Sequence, residues 1–309
     1  MTDDKGRMPD NTSRPRRALL VVNARARSGD AALDAPLGVL AEAGIEVTRH
    51  PATAHDRIDD VIRARAHEGF DCVLVGGGDG TMNAAAPGLV DTGLPLGILP
   101  LGTANDLARS LAIPPDPAAA AAIVAAGHRR PIDLGEVNGR YFFNVASIGF
   151  SAALPREMSA ESKRRWGVLG YAVAAARLLH RMRPFTAWID HDGRTDRTRG
   201  IQISVGNGRH YGGGMTVESN ARPDDGMLDV YSLETDRWWR LLGLLPYLRA
   251  GTQGVWDDVA TWRTAGCTVR TRRSMPVNAD GEIAARTPAK FRVIPGAVTI
   301  FSPLESNVP

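Results

Sequence analysis

Two glycine-bearing stretches, VGGGDGTMN (75–83) and LPLGTANDLARSL (99–111), carry residue types suited to handling phosphate. In the first, Gly76, Gly77 and Gly78 free the backbone for positive φ and for close approach to a ligand. Backbone N–H groups there, and at the start of the following helix, form an anion cradle. Asp79 would be repelled by a phosphate in that cradle unless a cation lay between them. Mg²⁺, held by one or two carboxylates plus phosphate oxygens, is the usual cation. The plainer alternative is a tight strand-to-helix turn that binds nothing. The stretch lacks the Gly-Lys-Ser/Thr of a P-loop. Thr81 and Met82 stand where a dinucleotide fingerprint needs its third glycine, so hydride transfer is not suggested.

The second stretch repeats the logic. Gly102 permits a turn, and Thr103 offers a hydroxyl to a phosphate or ribose. Asn105 or Asp106 can cap the helix that begins LARSL. Asp106 therefore reads either as an N-cap or as a second carboxylate near Mg²⁺.

These loops need strands to place them. RALLVV, EVTRHPAT, DCVLV and PLGILP read as strands. Helical spacing separates them: AALDAPLGVLAEAGI, HDRIDDVIRARAHEGF with Ile58, Val61 and Ile62 on one face, and TMNAAAPGLV. Alternating strand and helix predicts a doubly wound parallel sheet covered on both faces. In such sheets ligands bind at the carboxyl ends of strands, where both loops fall. From about Pro131 short β segments with turn residues take over, NGR (138–140) being a hairpin signal. Helical stretches at Ser162–Arg181 and Asp236–Leu248 interrupt them. The expected organisation is a disordered polar leader (1–16), a nucleotide-binding α/β domain (17–131) and a β-rich, mostly antiparallel sandwich domain with helical insertions (132–309).

Bulk properties narrow the class. The chain has 309 residues, 43% hydrophobic and 23% charged, which is ample for a large core. A net charge of +3 and a pI near 9.1 are too mild to argue for nucleic acid. Cys72 and Cys267 form no metal or redox motif, and a cytoplasmic setting is the simplest expectation. No apolar stretch approaches the ~20 residues of a membrane span. The leader lacks the apolar core of a signal peptide.

GGGDGTMN followed some twenty residues later by PLGTANDLAR resembles the catalytic domain of diacylglycerol kinases, and more narrowly the bacterial soluble lipid kinases. GGDGT alone is shared with NAD kinases and, loosely, with phosphofructokinases. The resemblance implies ATP as co-substrate and Mg²⁺ as cofactor. It places Asn23, Ser28, Gly29 and Thr53 near the nucleotide, with Ala24 where the family has proline. It places Gly77, Gly78, Asp79, Gly80, Thr81 and Asn83 in the first phosphate loop, and Thr103, Asn105 and Asp106 in the second. It brings Asp133 of PIDLG close to the active-site Mg²⁺. NVASIGFSA (144–152) then lines an interdomain cleft.

VNADGE (277–282) matches the family's Asp-Gly-Glu. Phosphoryl transfer needs positioning, charge neutralisation and a carboxylate to accept the hydroxyl proton. Asp280 or Glu282 supplies it, Asp280 being slightly preferred; unaided, ADGE reads as a hairpin turn. ARPDDGMLDV (221–230) matches a loop that binds a structural Mg²⁺ through Asp225 and the Met227 carbonyl. Arg222 stands where the family often has an acid, and Asp224 is a substitute ligand.

The basic, apolar-centred stretches ESKRRWGVLGYAVAAARLLHRMR (161–183) and RWWRLLGLLPYLRAG (237–251) suit peripheral contact with an anionic membrane. Solvated basic ends on helices packed against the domain are the plainer alternative. The resulting expectation is an ATP- and Mg²⁺-dependent kinase of a diacylglycerol-like lipid: diacylglycerol, phosphatidylglycerol or a sphingoid lipid. An NAD kinase and a non-catalytic nucleotide-binding regulator are the alternatives. The resemblance leaves room for a homodimer.

Overall fold

β1 (Arg17–Val22), β3 (Cys72–Gly77) and β4 (Leu96–Pro100) are near-continuous apolar runs, as parallel strands covered on both faces require. In the computed structural model they pair in parallel, with β2 (Glu46–Arg49) outside β1, in the order β2-β1-β3-β4. The structure describes residues 14–22, 31–50, 56–150, 152, 183–207, 210–211, 215–216, 222–234 and 259–304. The helical stretches expected at 162–181 and 236–248 lie outside these.

The first unit runs to Ile132 and resumes at Ala297; the second is Asp133–Gly296. In the first, α1 (Ala31–Glu42) and α5 (Pro117–Ala126) cover the sheet face made by Ala18, Leu20, Cys72 and Leu74. The alternate residues Leu19, Val21, Val73 and Val75 are as fully buried, on the opposite face. The helices α2 (Ile58–Arg65) and α3 (Asp79–Thr92) pack on each other, strapped by Arg63. Its guanidinium donates to buried Asp59 at 3.0 Å and to Asp91 at 2.6 Å. Burial would raise the Asp59 carboxyl, but hydrogen bonds from Arg57 and Arg63 outweigh it and hold the group below its ordinary range. The last strand, β18 (Ala289–Phe301), returns the chain to this unit, pairing Ile300 with Leu96. The sequence placed that tail in the second domain; its burial against β4 puts it in the first.

The second unit is an antiparallel sandwich. One sheet joins the first part of β18 to β15 (Gly266–Thr271), β8 (Phe185–His191) and β9 (Arg194–Gly200). On its edge β5 (Arg129–Val137) pairs with β6 (Arg140–Phe142). The other sheet has the order β14-β13-β10-β7-β16-β17, with β14 (Val259–Thr264), β13 (Leu228–Leu233), β10 (Gln202–Gly206), β7 (Val145–Gly149), β16 (Pro276–Ala279) and β17 (Glu282–Arg286). Ile148, Val205, Val230 and Val277 from this sheet meet Ile189, Val269 and Phe291 from the first in one core. Two short strands, β11 (His210–Tyr211) and β12 (Met215–Thr216), form a ribbon of their own. Asn138-Gly139, Asp192-Gly193 and Asp280-Gly281 make hairpin turns, each pair with both φ positive as type I′ geometry demands. The thiols of Cys72 and Cys267 are pushed up to about 12 by burial, the behaviour of small core hydrophobes.

A buried histidine staples the two sheets. His191 Nδ1 lies 3.0 Å from Asp192 Oδ2, and Nε2 lies 2.8 Å from Asp196 Oδ2. From β14, Trp262 Nε1 donates to Asp196 at 2.8 Å and Thr264 Oγ1 to Asp192 at 3.1 Å. Hydrogen bonding to Asp192, then to Asp196, outweighs burial and the nearby Arg194 and raises the imidazole above 6.5. The same bonds hold both carboxyls below 3.8. His191 therefore contributes stability that is fully present below 6.5 and is lost as pH rises through its raised value. The carboxylates contribute above 3.8 and lose it as pH falls through their lowered values. In denaturant titrations at increasing pH above 6.5, the wild type is expected to lose stability relative to His191→Gln. Parallel curves would contradict the assignment.

Candidate active site

The first glycine loop is tighter than its composition suggests. β3 ends at Gly77 and α3 starts at Asp79, leaving Gly78 alone between them. Gly76, Gly77, Gly78 and Gly80 all keep non-positive φ, which corrects the expectation of left-handed backbone there. What these positions need is room. A Cβ on Gly77 would stand 2.3 Å from Thr81 Oγ1, and one on Gly102 would stand 2.4 Å from the Gly78 Cα. The two loops thus touch backbone to backbone, and only a pair of glycines lets them.

In the second loop Asn105 takes the left-handed conformation, φ 49°. Its Oδ1 accepts from Gly102 N–H and its Nδ2 donates to the Gly102 carbonyl, both at 3.1 Å. So engaged, Asn105 does not cap α4 (Asp106–Ser110). Asp79 does: its Oδ1 accepts from Leu107 N–H at 2.9 Å, a helix cap delivered from the other loop. The other oxygen, Oδ2, accepts no hydrogen bond from any described residue, and the side chain is half-exposed. Asp106 is buried in the first turn of α4, one residue from the amide that Asp79 caps. Thr103 and Gly80 are exposed at the loop surfaces. Asn83 Oδ1, one turn into α3, is buried with no hydrogen-bond partner among the described residues. Asn23, Ser28, Gly29 and Thr53 lie outside the described residues.

An open carboxylate oxygen at paired helix N-termini, beside a cradle that a Cβ would fill, fits a divalent cation carrying phosphate oxygens. Asp79 would be its first ligand, and Asp106 opens the helix that Asp79 caps.

In the second unit the two candidate bases have different surroundings. Asp280 sits in the hairpin turn with φ 45°. Its carboxylate accepts from the backbone N–H groups of Phe143 at 2.6 Å, Asn144 at 3.1 Å and Val145 at 3.0 Å. Glu282 opens β17, exposed, with no hydrogen bond or ion pair among the described residues. The structure therefore gives Asp280 the task of tying β7 to the hairpin and leaves the Glu282 carboxylate open.

Asp133, the first residue of this unit, is buried and committed. Its Oδ2 accepts from Gly226 N–H at 2.7 Å and its Oδ1 from Gly296 N–H at 2.8 Å. It thereby ties together the points where the chain enters and leaves the unit. Asn207, which sequence reasoning missed, donates through Nδ2 to the carbonyls of Asp133 and Phe143, each at 3.0 Å. Its only sequence signal was a strand-end position before Gly208. The Oδ1 atoms of Asn144, itself an Asp280 contact, and of Asn207, whose backbone N–H donates to the Asn144 carbonyl at 2.8 Å, are buried without hydrogen-bond partners among the described residues.

The acids of the 222–229 loop face guanidinium groups. Arg222 Nε donates to Asp224 at 3.0 Å. Arg263 donates to Asp225 Oδ2 and stands 3.7 Å from Asp229. Asp225 Oδ1 accepts from Met227 N–H at 3.0 Å. With both Asp225 oxygens engaged, this arrangement does not fit a divalent cation on Asp225 and the Met227 carbonyl unless Arg263 withdraws. Among the described residues no cluster of three or more His, Cys, Asp or Glu is arranged around a metal position.

Comparison with known proteins defines the class. Residues 17–137 match the diacylglycerol kinase catalytic domain, and residues 144–302 match the YegS C-terminal NAD kinase beta sandwich-like domain. The chain belongs to the diacylglycerol kinase and YegS-like family of lipid kinases, which phosphorylate an alcohol. It is 35% identical over 259 residues to a diacylglycerol kinase of Mycobacterium tuberculosis strain H37Rv, covering 81% of this chain and 82% of that one. It is 34% identical over 302 residues to a probable lipid kinase YegS-like of Pseudomonas aeruginosa strain PAO1, covering 94% and 95%. The crystal structure of a putative diacylglycerol kinase from Bacillus anthracis strain Sterne superposes with a TM-score of 0.79 at 25% identity, covering 100% of both chains.

The double role of Asp79 separates two variants. Asp79→Asn keeps an acceptor for Leu107 N–H and loses the charge, so Tm should hold while turnover collapses. Asp79→Ala loses both, and Tm should fall by about 2–4 °C as well. An equal fall in Tm for the two variants would contradict the cap. Gly102→Ala drives a methyl into the Gly78 backbone, and a cost of about 1–3 kcal/mol with weakened nucleotide binding is expected in denaturation and binding titrations.

Proposed function

We propose that this chain transfers the γ-phosphate of ATP, with Mg²⁺, to the hydroxyl of a diacylglycerol-like lipid. The observation that carries the proposal is the Asp79 carboxylate, with one oxygen fixed on Leu107 N–H and the other open beside a glycine cradle. Backbone N–H groups at the starts of α3 and α4 receive the phosphates. When bound, Mg²⁺ neutralises charge on the transferring group, with Asp79 and Asp106 as its holders. Asp133, Asp225 and Met227 are left out of that set, because the aspartate oxygens are engaged elsewhere.

Glu282, open where Asp280 is saturated, accepts the hydroxyl proton. The lipid oxygen then bonds to the γ-phosphorus, the bond from that phosphorus to the β–γ bridging oxygen breaks, and ADP leaves. Asp280 acts as a positioning residue for β7 and the hairpin that carries Glu282. Among the described residues no helix is long and apolar enough to cross a membrane. The enzyme meets its lipid by peripheral contact. Both cysteines are buried and unpaired, which suits a cytoplasmic setting.

The test offers γ-labelled ATP and Mg²⁺ to a panel of diacylglycerol, phosphatidylglycerol and sphingoid lipids in mixed micelles, with NAD as a control acceptor. Label is expected in a lipid; label in NAD alone would contradict the proposal. Glu282→Gln should lower kcat by about 10²–10⁴-fold while leaving ATP binding near the wild-type value. Turnover that survives Glu282→Gln would remove it from the role of base.

A further inference from the structure

The sheet formed by β9, β8, β15 and the first part of β18 has one face in the sandwich core and one face in solvent. Ala187, Ile189, Thr198, Cys267, Val269, Ala289 and Phe291 alternate inward and are buried. Period-two alternation sends their neighbours outward. The pairing register then fixes what the outer face looks like. Trp188 lies directly between Arg270 on β15 and Arg197 on β9. On the same face Arg199 pairs with Thr186, Lys290 with Thr268, and Arg292 with Gly266. The arginines and the lysine are exposed, and Trp188 is half-buried among them.

The charge balance of this face is one-sided. Arg270 is bonded bidentately to Asp190, both contacts at 2.7 Å, and Arg292 reaches Glu136 at 2.6 Å. Arg197, Arg199 and Lys290 have no acidic partner among the described residues. A core-packed sheet needs no such row for its own stability. Arg197 and Arg199 stand two residues apart on the same face of one strand, so their like charges repel one another, and an anionic partner would relieve that repulsion. A tryptophan flanked by guanidinium groups presents an apolar ring and cationic tips together, the pairing suited to a lipid–water interface.

We infer that this outer sheet face is a docking surface for an anionic lipid bilayer. The inference rests on the lipid kinase reading, because a substrate held in a bilayer gives the enzyme a reason to meet that surface. Charge complementarity supplies the partner's chemistry: phosphatidylglycerol-like headgroups against Arg197, Arg199 and Lys290, with Trp188 at headgroup level. The face lies on strands whose register is described throughout.

The experiment measures co-sedimentation of the full chain with neutral phosphatidylcholine vesicles and with vesicles containing about a third phosphatidylglycerol, for the wild type and for Arg197→Gln/Arg199→Gln. Turnover is followed in parallel on vesicle-borne diacylglycerol and on a soluble short-chain diacylglycerol. The wild type should prefer the anionic vesicles, and the double variant should bind them about 25-fold more weakly, about fivefold per arginine. The variant should lose turnover on vesicles and keep it on the soluble substrate. Equal binding of the two proteins, or equal wild-type binding to neutral vesicles, would overturn the docking surface while leaving the kinase reading intact. Arginine-dependent vesicle binding with no lipid phosphorylated would uphold the surface and overturn the kinase reading. Tighter binding to polyuridylate than to vesicles, lost with the same substitutions, would assign the face to nucleic acid and overturn the lipid assignment.

Discussion

The hydrogen bond from Leu107 N–H to Asp79 Oδ1 joins two loops that leave neighbouring strands of one parallel sheet. It exists only because Gly78 and Gly102 let the backbones touch. Through it the start of α4 is capped by a residue at the start of α3, so both helix N-termini present their N–H groups in one fixed arrangement. A phosphate cradle assembled from backbone needs this rigidity, since backbone N–H groups cannot change rotamer to follow a ligand. In the proposed reaction the carboxylate that fixes the cradle also keeps one oxygen for a cation.

The second unit uses the same device for a different end. Asp280 and Asp133 are carboxylates engaged by backbone N–H donors, and each ties together segments far apart in sequence. Glu282 is exposed beside Asp280, and the proposed mechanism gives it the chemistry. The contrast follows from solvation. A carboxylate already accepting from several N–H groups has little free lone-pair capacity, whereas one facing solvent can reach a substrate hydroxyl. In the proposed mechanism the proton acceptor and the tying carboxylate stand two residues apart on one hairpin.

Much of this was legible in the sequence. Apolar runs ending in glycine marked β3 and β4, and the alternation with helices marked the doubly wound sheet. Asn138-Gly139 and Asp280-Gly281 marked their hairpins because type I′ turns demand residues that tolerate positive φ. What was not legible depends on contacts across the fold. The cap on α4 comes from 28 residues upstream, and the Asp280 contacts span more than 130 residues. The glycines of the first loop were read as conformational freedom, when the requirement is space against Thr81 and Gly102. Asn207 carried no motif, because its importance lies in bridging Asp133 and Phe143 from a strand that sequence shows only as apolar. The return of β18 to the first unit was likewise hidden, since a long β run gives no sign of which sheet its ends will join.

The coupling of the loops is tested most directly by amide hydrogen exchange at Leu107, followed by NMR with and without Mg²⁺ and ATP. If Asp79 caps α4, the Leu107 amide exchanges slowly in the wild type and in Asp79→Asn. It exchanges markedly faster in Asp79→Ala, and nucleotide slows exchange further in the wild type alone. Equal exchange in the three proteins would mean that the loops hold their arrangement without Asp79, and the account of the cradle built on that carboxylate would be wrong.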